Sequence, residues 1–376
     1  MKRVLIIQSQ IKRYRIALFE QLYYALMKVN VQLTVAYGDP SDNEATKNDN
    51  AVLPPEYGLK VWNYWFFNDR IIYQPLLKEI LNADIVIVEQ ANKHVINYLL
   101  LLLSTLRLKK VAYWGHGKNR QANGSSIPEW VKKKTLPLVD WWFAYTSGTA
   151  EYLIDKKFSP KKITILQNTI DLHQFRAELN TISEDEIENA KIQHGLDINA
   201  KIGLFCGGLY TNKSIEFLLD SAKIIKEKIP EFALFIIGSG PKSAYVISIA
   251  ASEPWVHYLG PKFSKDKALY FMMSDVFLHP GVVGLGILDS FCAGLPFLTT
   301  DIAGHGPEVE YLQNFFNGLI VPNTRIDFAN AVIKLINDND LYSKLKAGAL
   351  SSANEYSIER MVDNFRNGII NFLGYD

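Results

Sequence analysis

Two spacings of apolar residues alternate along this chain. Short continuous runs, RVLIIQ (3–8), VQLTVAYG (31–38), ADIVIVEQ (83–90), KKVAYWG (109–115), WWFAYTS (141–147) and KKITILQN (161–168), predict strands buried on both faces. Between them lie segments with apolar residues three and four apart, such as YRIALFEQLYYALMKV (14–29), which predict helices packed on one side. The polar stretch DPSDNEATKNDN (39–50) predicts a loop. The same grammar restarts further on. IGLFCGG (202–208) and FALFIIG (232–238) predict strands, the second ended by the turn GSGP (238–241), and NKSIEFLLDSAKIIKEK (212–228) predicts a helix. VHYLG, DVFLHP, PFLTT and NGLIVP read as further short strands, ISEDEIENAKIQHG (182–195) as a surface helix, and the stretch from about Asp327 onward as mostly helical. Alternation of this kind predicts parallel sheets covered by helices. The expected class is α/β, with two Rossmann-like doubly wound domains facing a cleft at the carboxyl ends of their strands, where such sheets bind ligands. The expected boundaries are 1–170 for the first domain and 171–355 for the second, with 356–376 a helix returning to the first.

The bulk numbers narrow this without changing it. A chain of 376 residues exceeds one ordinary core, and 48% hydrophobic with 21% charged residues is a folded composition. The two cysteines, Cys206 and Cys292, have neither disulfide nor metal spacing, so a reducing, cytoplasmic location is expected. The start, MKRVLIIQSQIKRYR, carries only VLII before charge returns, unlike a secretory signal. The net charge of +1 hides an asymmetry: residues 1–170 hold 23 Lys+Arg against 14 Asp+Glu, and the remainder 17 against 25. This balance points to an anionic partner for the first half. VINYLLLLLSTLRLKK (95–110) has an apolar core too short for the ~18 residues of a spanning helix. It reads as a buried helix. Contact with the inner face of the membrane is the alternative there and at IPEWVKKKTLPLVDWWF (127–143), where Trp130 precedes three lysines.

Three stretches carry candidate chemistry. In HPGVVGLGILDSFCAGLP (279–296) a glycine-bearing turn runs into a helix whose first amides suit a phosphate, and Asp289 is placed to accept from a vicinal diol. In GGLYTNKS (207–214) Lys213 stands at a helix start, where the dipole disfavours a cation unless an anion joins it. In AYWGHGKN (112–119) His116 lies between glycines just past a strand, suited to donate to a sugar hydroxyl or a phosphate oxygen.

Taken in order, these elements resemble glycosyltransferase family 4, the retaining GT-B enzymes. The matching run is GGLYTNKSIEFLLDSAKII, FALFIIGSGP, VHYLGP, GVVGLGILDSFCAGLPFLTTD, GPEVEYL and NGLIVP, with QNTIDLHQF (167–175) like the family's entry into its second domain. The wording DSF and H-x-P-E looks like enzymes of bacterial cell-surface polysaccharide and lipopolysaccharide. The resemblance implies a nucleotide-sugar donor on the second domain, UDP-sugar favoured. It implies an oligosaccharide or lipid-linked acceptor on the first, and neither a metal, another cofactor nor nucleic acid. The leaving diphosphate then helps take the acceptor's proton. By position Lys213 matches the diphosphate lysine, His116 the histidine near the donor sugar, and Asp289 the ribose-holding glutamate of the E-x7-E pair. Gly284, Leu285 and Gly286 would offer amides to the diphosphate, Glu308 a weaker donor contact, and Pro261 and Lys262 backbone groups to the base. Gly207 and Gly208 close the first strand of that domain. Gln10, Arg13, Arg15, Glu89 and Lys118 are the acceptor-side candidates.

The chain departs from the family pattern in ways that bear on the donor. Gly281 stands where the first glutamate of the pair belongs, and Gly208 where an arginine follows the strand glycine. Asp289 is shorter than the usual glutamate, and QSQIKRYR (8–15) replaces the N-terminal Gly-Gly loop. Either Arg13, Arg15 or His305 takes over the lost contacts, or catalysis is impaired. Gly281 is expected to leave open space for a deoxy or N-acetylated sugar. Other readings are a GT-B epimerase or hydrolase using Glu89 or Glu308, and a non-catalytic partner with a degenerate site. A nicotinamide enzyme lacks its G-x-G-x-x-G after the first strand.

Overall fold

The computed structural model describes residues 1–41, 49–117 and 135–374. It divides into two compact units, Met1–Asp171 with Ser357–Asp376, and Leu172–Tyr356.

In the first unit the strands are β1 (Lys2–Ile7), β2 (Val31–Tyr37), β3 (Gly58–Lys60), β4 (Tyr64–Phe66), β5 (Ile71–Tyr73), β6 (Ile85–Glu89), β7 (Lys110–Gly115), β8 (Trp141–Ala144) and β9 (Ile163–Ile165). Seven of them form a parallel sheet in the order β3-β2-β1-β6-β7-β8-β9. Val4 to Ile7 of β1 are all buried, because helices cover both faces. On one face the helices Ile16–Met27 and Ile358–Leu373 pack together over Ile6, Ile87, Trp114 and Phe143. On the other, Leu5, Val86, Tyr113 and Trp142 meet the helices Leu77–Asn82, Val95–Thr105 and Ser147–Asp155. The helix Ile358–Leu373 buries Met361, Phe365, Ile369 and Phe372, a spacing of four, four and three that lines one helical face. β4 and β5 form a separate antiparallel hairpin, whose loop residues Phe67, Asn68 and Asp69 take positive φ.

The second unit holds β10 (Lys201–Cys206), β11 (Phe232–Ile237), β12 (Val256–Gly260), β13 (Val276–Leu278), β14 (Phe297–Thr300) and β15 (Gly318–Val321), parallel in the order β12-β11-β10-β13-β14-β15. The helix Ile215–Lys228 buries Ile215, Leu218, Leu219, Ala222 and Ile225 and packs against Arg325–Asn337. The surface helix Glu184–Gln193 starts on a capping box, Ser183 with Glu186, which satisfies two end amides reciprocally.

Each sheet starts in its middle and reverses direction once. The reversal falls between β1 and β6 in the first unit and between β10 and β13 in the second. These are the points where a doubly wound sheet opens to ligands at its carboxyl edge.

Candidate functional site

The second unit's switch point is built from the loops that leave β10 and β13. After β10, Gly207 and Gly208 lead to Leu209, fully buried, and then to a 3-10 turn, Thr211–Lys213. Gly238 has φ +134°, and a Cβ there would fall on the Gly207 carbonyl, so this glycine permits two strand ends to touch. After β13, the segment His279–Gly284 is tied down from several sides. Thr299 and Thr300 donate through their hydroxyls to the carbonyls of His279 and Pro280 at 2.7 and 2.6 Å.

The two segments meet at Gly281. The Val282 amide donates to the Asn212 carbonyl at 2.8 Å, and the Lys213 ammonium donates to the Val282 carbonyl at 2.5 Å. A Cβ on Gly281 would lie 2.4 Å from the Lys213 carbonyl carbon and 2.5 Å from the Asn212 oxygen. The expected open space is therefore absent. Glycine stands at 281 because the Asn212–Lys213 backbone occupies the volume a side chain would need, and a glutamate there would displace the segment that carries Lys213. At Gly208 the Tyr210 ring fills the corresponding volume, 2.4 Å from a notional Cβ.

Lys213 is half-buried. Burial brings its ammonium from the ordinary 10.5 down to about 8, and Glu308 pulls the other way. His279 lies 3.4 Å from Lys213 Nζ and 3.0 Å from the Val282 carbonyl, stacked on Phe205 with ring centroids 5.2 Å apart. Burial first, then the Lys213 charge, hold its imidazole down at about 3, so it stays neutral. A neutral ring donates Nε2–H to the carbonyl and adds no charge against the lysine. Glu308, in the 3-10 turn Pro307–Tyr311, is buried.

His305 does not take over a lost contact. Its Nδ1 accepts from the Val283 amide at 3.1 Å and its Nε2 faces the Thr300 carbonyl at 2.7 Å, so both ring nitrogens are engaged in holding the loop. Gly284 faces open space, with no atom within 4 Å of a notional Cβ, and Gly286 meets only the Cys206 carbonyl at 3.9 Å. Leu285 caps the helix Gly286–Cys292, which is seven residues long, shorter than the apolar pattern suggests, and ends at Gly294 with φ +66°. Pro261 is exposed just past β12, and the Lys262 ammonium sits 5.8 Å from the Tyr270 ring centre.

Asp289 is half-buried and engaged. The Lys267 ammonium lies 2.8 Å from its Oδ1, and neither side chain is more than 20% exposed. Sequence reasoning missed Lys267. It stands 22 positions before Asp289 in the helix Ser264–Met272, among the charges of a face that reads as solvated.

The first unit's candidates gather at its own carboxyl edge. Glu89 ends β6 with its carboxylate 3.8 Å from the buried His94 ring. His116 is exposed just past β7, its ring edge-on to Tyr145 at 4.3 Å between centroids. The next residue, Gly117, is held by the Gln90 side chain, whose Nε2 donates to its carbonyl at 3.1 Å. Gln10 is half-buried after β1 and Arg13 is exposed. Arg15 is buried, its guanidinium 4.9 Å from the Trp114 ring centre and 5.0 Å from that of Tyr14, and it donates to the Tyr145 hydroxyl at 3.5 Å. Lys118, like Trp130 and the lysines after it, lies outside the described residues. Among the described residues no cluster of three His, Cys, Asp or Glu side chains is arranged to hold a metal.

Comparison with known proteins places this geometry. Residues 200–338 match the family model for glycosyl transferases group 1. The chain is 27% identical over 269 residues to an Escherichia coli UDP-Gal:alpha-D-GlcNAc-diphosphoundecaprenol alpha-1,3-galactosyltransferase, covering 65% of this chain and 67% of that protein. A glycosyltransferase from Rickettsia africae superposes with a TM-score of 0.70 at 15% identity, covering 100% of this chain and 99% of that one. HepE from Anabaena, crystallised with UDP, superposes with a TM-score of 0.69 at 14% identity over 99% of this chain and 100% of that one. The fold is GT-B. The chain is a glycosyltransferase, and the region matched by the group 1 model lies within its second unit.

Proposed function

We propose that this chain is a retaining transferase of family 4. It moves a hexosyl or N-acetylhexosaminyl group from a UDP-sugar to a lipid-linked or cell-surface oligosaccharide. The observation that carries the reading is Lys213: a half-buried ammonium at the switch point of the second unit, with Glu308 the one charge among the described residues that draws it toward the charged form. A diphosphate arriving beside the open edge at Gly284 supplies the missing countercharge. Lys213 then exchanges the Val282 carbonyl for a phosphate oxygen. As the bond from the anomeric carbon to the diphosphate breaks, charge grows on the leaving oxygens, and Lys213 with the amides of Gly284 to Gly286 stabilises it, without a metal. His116 meets the donor sugar, and the departing diphosphate accepts the acceptor's proton.

The E. coli relative uses a UDP-sugar and a diphosphoundecaprenol-linked acceptor by its name, which supports the donor and acceptor classes proposed here. No helix among the described residues is long and apolar enough to cross a membrane. In this reading the chain works at the cytoplasmic membrane surface, held by an exposed apolar face of the first unit.

A panel of UDP-, GDP- and dTDP-sugars read by melting temperature and nucleotide release tests the donor. The expected result is a rise with UDP-sugars and turnover on a lipid-linked acceptor, with Lys213→Ala lowering kcat by about 10² or more. Stabilisation by UDP without turnover on any acceptor supports a non-catalytic partner instead, and release of sugar to water alone supports a hydrolase.

A further inference from the structure

The donor reading gives Asp289 the nucleotide's ribose, and the structure adds a residue to that contact. We propose that Lys267 is a positioning residue for ribose recognition: it fixes the Asp289 carboxylate through one oxygen and leaves the other to the sugar hydroxyls. This rests on the donor reading above.

The geometry is specific. Lys267 Nζ lies 2.8 Å from Asp289 Oδ1. The same ammonium stands 4.4 Å from the ring centre of Phe175 and 5.4 Å from that of Phe271, so two aromatic faces hold it in place. Burial is the largest single influence and works against its charge; the charge and hydrogen bond of Asp289, together with Cys206 and Cys292, bring the lysine above its ordinary value. The other titratable groups in range are the thiols of Cys206 and Cys292. Both are raised, Cys206 to about 12 and both chiefly by burial, so they stay neutral and do not compete for the ammonium. Arg176 bonds the Cys292 sulfur. A short aspartate on a seven-residue helix thus gains from its partner the fixed orientation that a longer side chain would otherwise have to find. With Oδ1 occupied, the carboxylate accepts from the ribose through Oδ2, while the ammonium has further protons to donate to a hydroxyl oxygen.

A purely structural ion pair and a ribose-positioning pair differ in one measurable respect. Lys267→Met keeps a flexible apolar stem between the two rings and removes the charge. Titration calorimetry with UDP and with 2′,3′-dideoxy-UDP, on the unaltered chain and the variant, separates the two roles. The expected result is a loss of about tenfold or more in UDP affinity on Lys267→Met and no change for the dideoxy nucleotide, which has no hydroxyl for Asp289 to accept. Asp289→Asn, which preserves shape, is expected to show the same selective loss, and the double variant no further loss than Asp289→Asn alone. Equal losses with both nucleotides, no loss, or additive losses overturn the Lys267 assignment. Failure of the unaltered chain to bind UDP overturns the donor reading itself, which keeps the two failures apart.

Discussion

At the scale of single residues, the diphosphate role proposed for Lys213 makes donor binding depend on pH. Its ammonium loses its proton near pH 8 in the free protein. A bound diphosphate favours the protonated form, so between about pH 7 and 8, where UDP is already fully ionised, affinity is expected to be flat. Above it a proton must be taken up on binding, and affinity falls by up to about tenfold per pH unit. Lys213→Arg stays charged throughout and removes that slope; calorimetry from pH 6 to about 9.5 gives both curves, and a flat profile for the unaltered chain rules Lys213 out as the diphosphate ligand. Stability moves the other way. Because the folded value lies below the ordinary 10.5, the unfolded chain holds the extra proton between about 8 and 10.5, and the free protein gains stability as pH rises across that window. The candidate residues stand out in the sequence because Lys213, Asp289 and the glycines of the second unit, and His116 of the first, fall at strand ends and helix starts, where sequence spacing is informative. The meaning of Gly281 is not. An empty side chain looks the same in sequence whether solvent or backbone fills the space, and here the backbone of residues 212 and 213 does. Lys267 and Asp289 find each other across two elements, and no local spacing records that.

At the scale of elements, the strands are the most legible, because runs such as VLII and FALFII are buried on both faces and stand out from their surroundings. The stretch from residue 51 to 76 carries no such signal. β3 has three residues, and the β4–β5 hairpin exposes the aromatics that would otherwise mark a core: Tyr64 is 50% and Phe67 75% exposed. The segment 95–110 reads as buried in sequence and is so on one side only. Ile96, Leu100 and Leu101 face the core, while Tyr98, Leu102, Leu106 and Leu108 are exposed. The hairpin joins this helix at its start, where the Ile72 amide donates to the Lys93 carbonyl at 2.8 Å and Lys93 sits 5.3 Å from the Trp65 ring centre. An apolar stripe flanked by aromatics and bases suits a membrane interface containing anionic lipid. The chain is expected to cosediment with such vesicles, and Leu102→Asp with Leu106→Asp to lower the bound fraction severalfold. Unchanged binding of that variant moves the contact elsewhere.

At the scale of the whole molecule, two α/β sheets are legible from the repeated strand-and-helix grammar, since a period of about 3.6 between continuous apolar runs admits few other arrangements. How much the core of the first unit depends on the helix expected to return to it is not, because pattern alone does not measure packing. Phe365 is fully buried, with ring centroids 5.1 Å from Trp114 and 4.7 Å from Phe143. Phe365→Ala is expected to cost about 3–5 kcal/mol and to lower the melting temperature of the first unit, read by differential scanning calorimetry. A shift of less than a degree would mean that the helix contributes little to that core. The same connectivity orders events during synthesis. All of Leu172–Tyr356 leaves the ribosome before the helix Ile358–Leu373 does. The second unit has every residue of its own core by then, while Trp114 and Phe143 still lack their cover. A chain released after Tyr356 therefore carries a complete second unit tethered to an open first one, and the open unit is what a chaperone would meet.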